Sequence, residues 1–156
     1  MKITFVLVGK TSSGEIKSIC SDYLKRINHY IKTEELIIET SSIKASDKNK
    51  VKEQEGELIL KKIAATDFVI LLDDKGRELN SLQFAQYLES VFNQSFKNLC
   101  FVVGGAYGFS DKVYKRANAK LSLSKLTFSH QIIRAIFLEQ LYRAFSILHN
   151  EPYHHE

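Results

Sequence analysis

The feature that most constrains the fold of this chain is the alternation of short β-prone apolar runs with longer amphipathic segments. Residues 3–8 form a continuous β-prone run, which is typical of a strand buried on both faces of a sheet. Further strands are predicted at 36–39, 68–72, 99–103 and 121–123, and helices at 15–31, 50–65, 81–95, 111–117 and 129–148. This order predicts an α/β fold with a mostly parallel sheet and helices on both faces.

The length and the composition set the class of protein. A chain of 156 residues corresponds to one domain, residues 1–156, and no repeat or linker divides it. Hydrophobic residues make up 44% and charged residues 26%, which is ordinary for a soluble globular protein. A single Pro and seven Gly exclude collagen-like and low-complexity chains.

The cysteines and the apolar runs indicate the compartment. Cys20 and Cys100 are far apart and each lies among apolar residues, so we expect unpaired buried thiols in a reducing cytosol. The apolar run at residues 3–8 is too short for a signal peptide, and no stretch approaches the roughly 20 apolar residues of a membrane span. The sequence therefore predicts a cytoplasmic protein that does not enter a membrane.

The net charge of +4 is concentrated at one end of the chain. Acidic and basic side chains cancel over residues 1–111, so the whole excess lies in residues 112–156. Four of the five histidines lie there too. This distribution predicts that a polyanionic partner binds the C-terminal third.

Three segments of unusual composition follow predicted strands, namely residues 73–77, 104–110 and 122–130. Ligands of parallel sheets bind beyond the carboxyl ends of the strands, so these segments are candidates for a binding site. Three glycines within residues 104–108 permit close backbone approach to a ligand, although a tight structural turn explains them as well. Their spacing matches neither the dinucleotide fingerprint nor a P-loop. An edge strand with a helix cap likewise explains the alternation in 122–130.

The last predicted helix is apolar almost all round, which suggests the sheet on one side and a partner subunit on the other. On this helix Arg134 and Arg143 either form ordinary ion pairs or contact phosphate. The tail that follows clusters Tyr153, His154 and His155, which suits stacking on RNA bases better than metal binding. No metal site is predicted. Other titratable candidates are Asp73, Asp74 and His29, and His29 fits an inert surface position.

Several segments together resemble one known family. They are MKITFVLVGK at the start, then EGELIL, FVVGGAYGFS, LSLSKLTFSHQ, RAIFLEQLYRAF and NEPYHH, in that order and spacing. In these segments the chain resembles the small SPOUT-class methyltransferases that modify a pseudouridine of bacterial 23S ribosomal RNA at N3. The resemblance covers essentially the whole chain.

The resemblance implies a fold and a cofactor. The family fold is an α/β sheet with a C-terminal deep trefoil knot, which the pattern of elements alone does not predict. The family binds S-adenosyl-L-methionine in the knot, forms homodimers and acts on assembled ribosomes without a separate RNA-binding domain. By match to the motifs, the implied cofactor-binding residues are Leu72, Gly104, Gly105, Gly108, Leu123, Ser124, Lys125, Leu126, Thr127 and Phe128.

The expected chemistry is transfer of an activated methyl group to a base nitrogen that must lose a proton. His130 and His154 are candidates for a general base. The predicted catalytic set is His154, Tyr153, Arg143 and His130, and the predicted RNA-binding set is Arg134, Tyr142, Arg143, Tyr153 and His154. We expect some of these side chains to be donated across the homodimer.

Three other functions remain open from the sequence. The chain could be a non-catalytic module that binds the ribosome, or a SPOUT methyltransferase that acts on another RNA such as tRNA. The absence of an additional RNA-binding domain disfavours a small free RNA. A small-molecule α/β enzyme conflicts with the localised basic end of the chain.

Overall fold

A computed structural model describes residues 1–155 as five strands and five helices in strict alternation. The strands are β1 (Lys2–Val8), β2 (Thr33–Ile38), β3 (Phe68–Glu78), β4 (Asn98–Val103) and β5 (Ala119–Ser122). The helices are α1 (Gly14–Ile27), α2 (Lys48–Lys62), α3 (Ser81–Phe92), α4 (Asp111–Arg116) and α5 (Ile132–Leu148). All five predicted strands and helices are present, with shifted boundaries.

The strands form one sheet in the order β2-β1-β4-β3-β5, and every neighbouring pair is parallel. The predicted α/β class with a parallel sheet is therefore confirmed. β1 and β4 lie inside the sheet, and their side chains from Ile3 to Val8 and from Leu99 to Val103 are buried. Burial on both faces explains why these two strands read as continuous apolar runs.

Alternate residues of the central strands enter two separate cores. On one face Phe5 and Phe101 pack against Phe137 of α5, with ring centroids 5.3 and 4.7 Å apart. On the other face Val6 and Val102 pack with residues of α2 and α4. Helices thus cover both sides of the sheet, with α1, α3 and α5 on the first face and α2 and α4 on the second.

The packing of α5 explains why this helix is apolar almost all round without a partner subunit. It packs on the sheet and also against α1 and α3 of the same chain. Tyr30, just after α1, stacks on Phe145 with centroids 5.4 Å apart, and Phe92 of α3 stacks on the same ring at 5.8 Å. The apolar surface of α5 is largely buried within one chain, so it is not by itself evidence for a partner subunit.

The most consequential boundary error concerns β3. The sequence predicts a turn at residues 73–77, whereas β3 continues through this segment to Glu78. After an irregularity, Arg77 and Glu78 pair with β5. Gly76 makes this possible, because a Cβ there would lie 2.6 Å from the backbone nitrogen of Leu121. The irregularity leaves Asp73 and Asp74 near the end of β5.

The sequence predicts Ser81 as the N-cap of α3 and Ser129 or Thr127 as the cap of α5. Asn80, and not Ser81, caps α3: its side chain accepts from the backbone N–H of Gln83, whose side chain accepts in return from Asn80. At α5 the Ser129 hydroxyl accepts from the N–H of Ile132. The prediction of two unpaired buried cysteines is confirmed.

Candidate functional site

The ends of β3, β4 and β5 surround a cleft of about 410 Å³. The three segments that the sequence singles out meet here, because the carboxyl ends of parallel strands lie at one edge of the sheet. Nine of the ten residues predicted to bind a cofactor line the cleft: Leu72, Gly104, Gly105, Gly108, Leu123, Ser124, Leu126, Thr127 and Phe128. The tenth, Lys125, is exposed and is not part of the cleft wall.

The segment 104–110 contributes backbone to the cleft. Gly108 has a φ of +76°, which favours glycine, and its N–H donates to the carbonyl of Gly105 at 3.2 Å. Gly104 lies against the ring of Phe109, where a Cβ would come within 3.1 Å of the ring carbons. The two interpretations of these glycines are thus compatible, since a tight turn brings the peptide backbone to the cleft.

The segment that follows β5 is folded by its own serines. The Ser122 hydroxyl donates to the carbonyl of Ser124, and the Ser124 hydroxyl accepts from the N–H of Leu126. The side chains of Leu126 and Phe128 remain 73% and 37% exposed beside the cleft. β5 is an edge strand, but it ends at Ser122, so most of the alternating sequence is an irregular loop.

Asp73 is a cleft residue that the predicted site set omits. Its carboxylate accepts from the Tyr114 hydroxyl and from the N–H of Lys75, the latter at 2.8 Å. Burial, followed by the hydrogen bond to Asp73, raises the pKa of Tyr114, which keeps the phenol a donor. The signal in the sequence is an aspartate directly after the predicted strand 68–72, whereas the contact with distant Tyr114 has no signature in the sequence.

His130 is the one member of the predicted catalytic set that lines the cleft. Burial, and secondarily the charge of Arg134, lowers its pKa below the ordinary value of 6.5. The imidazole is therefore neutral at pH 7 and able to accept a proton.

Arg134 corrects the prediction of RNA contact. Its side chain is fully buried, and its guanidinium donates to the carbonyl of Val8 at 2.8 Å and to the Thr11 hydroxyl at 2.9 Å. A buried guanidinium offers no surface to RNA. Its charge instead ties the start of α5 to the segment after β1, where the Gln131 side chain also accepts from the N–H of Ser12.

The other predicted catalytic and RNA-binding residues form a second group at the far end of α5, which we call the tail cluster: Tyr142, Arg143, Tyr153 and His154. The guanidinium of Arg143 lies 4.8 Å from the centre of the Tyr153 ring, and its Nη1 lies 3.4 Å from Nδ1 of His154. The Tyr142 ring meets the Tyr153 ring edge-on at 4.7 Å. The tail is thus packed against α5.

Two residues outside the tail cluster complete its contacts. Glu139 accepts from Nε of Arg143 and from the Tyr153 hydroxyl, both at 3.1 Å. The Tyr23 hydroxyl lies 3.2 Å from the Tyr153 hydroxyl. Burial raises the pKa of Tyr153, with the Tyr23 hydrogen bond as the next cause, so this phenol is protonated at neutral pH.

The tail cluster and the cleft lie at opposite ends of α5. Ile133 lines the cleft, and Arg143 follows ten residues later, which corresponds to about 15 Å along a helix axis. One chain therefore does not bring His130 together with His154.

Residues 1–155 contain neither a group of metal ligands nor a membrane-spanning helix. No three His, Cys, Asp or Glu side chains are grouped so that they could hold a metal ion. Within the same residues, no helix has the length and apolar character needed to cross a bilayer.

Comparison with known proteins decides the family. The model of the family described as "Predicted SPOUT methyltransferase" matches residues 1–154. The chain belongs to the SPOUT methyltransferases. Membership implies the C-terminal knot, which the strand order alone does not display, and it implies that the protein is a methyltransferase that uses a methyl donor.

Similar SPOUT proteins carry a more specific name. The chain is 51% identical to "Ribosomal RNA large subunit methyltransferase H" of Christiangramia forsetii, with 99% of each chain covered. It is 52% identical to the protein of the same name from Parabacteroides distasonis and 47% identical to that of Flavobacterium johnsoniae, in both cases over the full length of both chains.

Proposed function

We propose that this SPOUT enzyme transfers the methyl group of S-adenosyl-L-methionine to N3 of a pseudouridine in 23S ribosomal RNA of the assembled ribosome. The names of the full-length relatives support ribosomal RNA as the substrate. The observation that carries the proposal is the cleft, which residues of the segments 73–77, 104–110 and 122–130 line at the ends of adjacent strands. Residues 1–156 act as one catalytic domain.

The cleft suits a donor of this kind. Its volume of about 410 Å³ lies within the range of small-molecule sites, and its wall combines backbone, apolar side chains and a few polar groups. The segments 104–108 and 123–128 hold the donor through backbone groups, and Leu72 supplies an apolar contact. Asp73 offers a fixed carboxylate to a hydroxyl or cationic group. The donor supplies a methyl group already activated on a sulfonium.

His130 is the best-placed general base in one chain. It lines the cleft, it is neutral at pH 7, and Ser129 and Ile133 beside it also line the cleft. We assign it the removal of the proton from the base nitrogen that accepts the methyl group.

The tail cluster acts on RNA from a second subunit of a homodimer. In one chain it lies about 15 Å from the cleft along α5, so a second copy is needed to bring Tyr153 and His154 to a donor. The exposed side chains of Leu126, Phe128 and Ile132 give the partner an apolar surface beside the cleft. Arg143 and the aromatic rings of the tail cluster then bind phosphate and bases.

The substrate is the ribosome, and the protein therefore works in the cytoplasm. The charge excess of the C-terminal third is small, which fits a dimer that presents two basic regions to one large RNA surface.

The direct test measures methyl transfer from S-adenosyl-L-methionine to assembled ribosomes isolated from cells that lack this protein. Mass spectrometry of the 23S RNA is expected to show one new methyl group on a pseudouridine. Free 23S RNA and tRNA are the matched substrates, and we expect little methylation of either. Preferential methylation of tRNA would assign another substrate, and absence of donor binding by calorimetry would contradict the enzymatic function.

A further inference from the structure

A carboxylate without a partner lies directly behind the cleft. Glu55 of α2 is 8% exposed, and its Oε2 makes no hydrogen bond within residues 1–155. Burial raises the pKa of this carboxyl group. Burying a carboxylate without a hydrogen bond destabilises a folded chain, so a group of this kind calls for an explanation.

The Glu55 carboxylate faces the glycine segment of the cleft. A Cβ on Gly105 would lie 2.6 Å from both carboxylate oxygens, so the missing side chain is what admits Glu55 at this position. Gly105 lines the cleft and Glu55 does not, so the carboxylate contacts this segment from outside the cleft wall.

The neighbouring residue of α2 makes an equally close contact with the same segment. A Cβ on Gly56 would lie 2.2 Å from the Ser110 hydroxyl oxygen, and this hydroxyl is buried and also lacks a partner within the described chain. Helix α2 therefore contacts segment 104–110 at two places, near Gly105 and at Ser110. Each contact includes a buried side-chain oxygen without a hydrogen bond, from Glu55 at the first and from Ser110 at the second.

We propose that Glu55 is a positioning residue for the methyl donor, whose carboxylate accepts N–H groups of segment 105–108 in the donor-bound state. The inference rests on the proposed function of the cleft. A carboxylate has several acceptor sites and bonds peptide N–H groups strongly. These hydrogen bonds from Glu55 keep the backbone of Gly105 and its neighbours in the conformation that the donor requires.

The test separates this role from a structural one, because the two predict opposite effects on stability. In Glu55→Leu the unpartnered carboxylate is replaced by an apolar side chain of similar size. We expect the donor-free chain to unfold at the same or a higher temperature. Its affinity for S-adenosyl-L-methionine, measured by calorimetry, is expected to fall at least about tenfold, the effect of losing a charge-assisted hydrogen bond.

Two further variants keep the test valid if Glu55→Leu folds poorly. Glu55→Gln retains the shape and one acceptor oxygen, so we expect a smaller loss of affinity than in Glu55→Leu. In Gly105→Ala the new methyl group displaces the Glu55 carboxylate. If the two residues act together, Gly105→Ala should lower the affinity for S-adenosyl-L-methionine much less in the Glu55→Ala background than in the wild type.

Glu57→Gln is the matched control. Glu57 lies on the same helix but is exposed, and its carboxylate forms a surface pair with Lys112 at 3.7 Å. We expect its donor affinity to be unchanged. Wild-type affinity in Glu55→Leu, or a loss that destabilisation of the donor-free chain accounts for, overturns the role of Glu55. Failure of the wild-type chain to bind the donor overturns the proposed function, and this inference with it.

Discussion

The cleft and the tail cluster occupy opposite ends of α5 and are built in different ways. The cleft is made of glycines, apolar side chains and a few polar groups from segments at three strand ends. The tail cluster is made of long aromatic and charged side chains that contact one another and α1. We therefore expect donor binding to need one chain, whereas the proposed action on RNA needs a second.

The largest effect is expected from the tail. Tyr153→Ala combined with His154→Ala should lower methyl transfer to ribosomes about 100-fold, because the RNA base loses its contacts with the tail cluster. Donor affinity should stay unchanged, since both residues lie outside the cleft. Transfer is measured with labelled donor and affinity by calorimetry. His155→Ala is the control, and equal losses of transfer and donor affinity would show that the two regions are not separate.

Arg134 and Arg143 contrast a buried and a partly exposed arginine of the same helix. Arg134→Met should lower the free energy of unfolding by about 3 kcal/mol, because the Val8 carbonyl and the Thr11 hydroxyl lose their partner inside the protein. Arg143→Met should cost at most about 1 kcal/mol, since its pair with Glu139 is partly solvated. Urea unfolding measures both. If Arg134→Met is as stable as the wild type but no longer binds RNA, Arg134 contacts RNA, as the sequence predicts.

Asp73→Asn tests the carboxylate of the cleft. We expect donor affinity to fall about tenfold, because a charged acceptor becomes a neutral one. Glu78→Gln, an exposed change in the same strand, should leave donor affinity unaltered. Calorimetry at pH 7 checks both, and equal affinities in the two variants would exclude Asp73 from donor binding.

His130 sets the expected pH dependence. A base must be neutral, and the pKa of His130 lies below 6.5, so the transfer rate should be near its maximum at pH 7 and should reach half of that maximum below pH 6.5. His130→Gln should be about tenfold slower at pH 7 and should lose this acidic limb. Rates at saturating donor across pH 5 to 8 test this. An acidic limb that persists in His130→Gln would assign the titration to another group.

The smallest effect is expected at Lys125. Its side chain is exposed and does not line the cleft, so Lys125→Ala should change donor affinity less than about twofold. A larger change would show that the loop moves onto the donor.

How far the sequence predicts each region depends on the range of the interactions involved. The apolar runs predict the central strands because burial on both faces leaves a local pattern. The glycines at 104, 105 and 108 indicate a ligand loop because backbone conformation is also local. No local pattern reveals that Tyr114 bonds Asp73, that Glu55 faces Gly105, or that β3 continues past Leu72 to pair with β5.

Local patterns in the amino-acid sequence were enough to predict the α/β class, the approximate elements, the candidate cleft at the strand ends and, through the motifs, the family. The tertiary structure alone decided that Arg134 is internal, that α5 is covered by α1 and α3, and that the tail cluster lies far from the cleft of its own chain. Periodicity and turn chemistry act over a few residues, whereas burial and side-chain pairing join residues as far apart as Asp73 and Tyr114, 41 positions, or Val8 and Arg134, 126 positions.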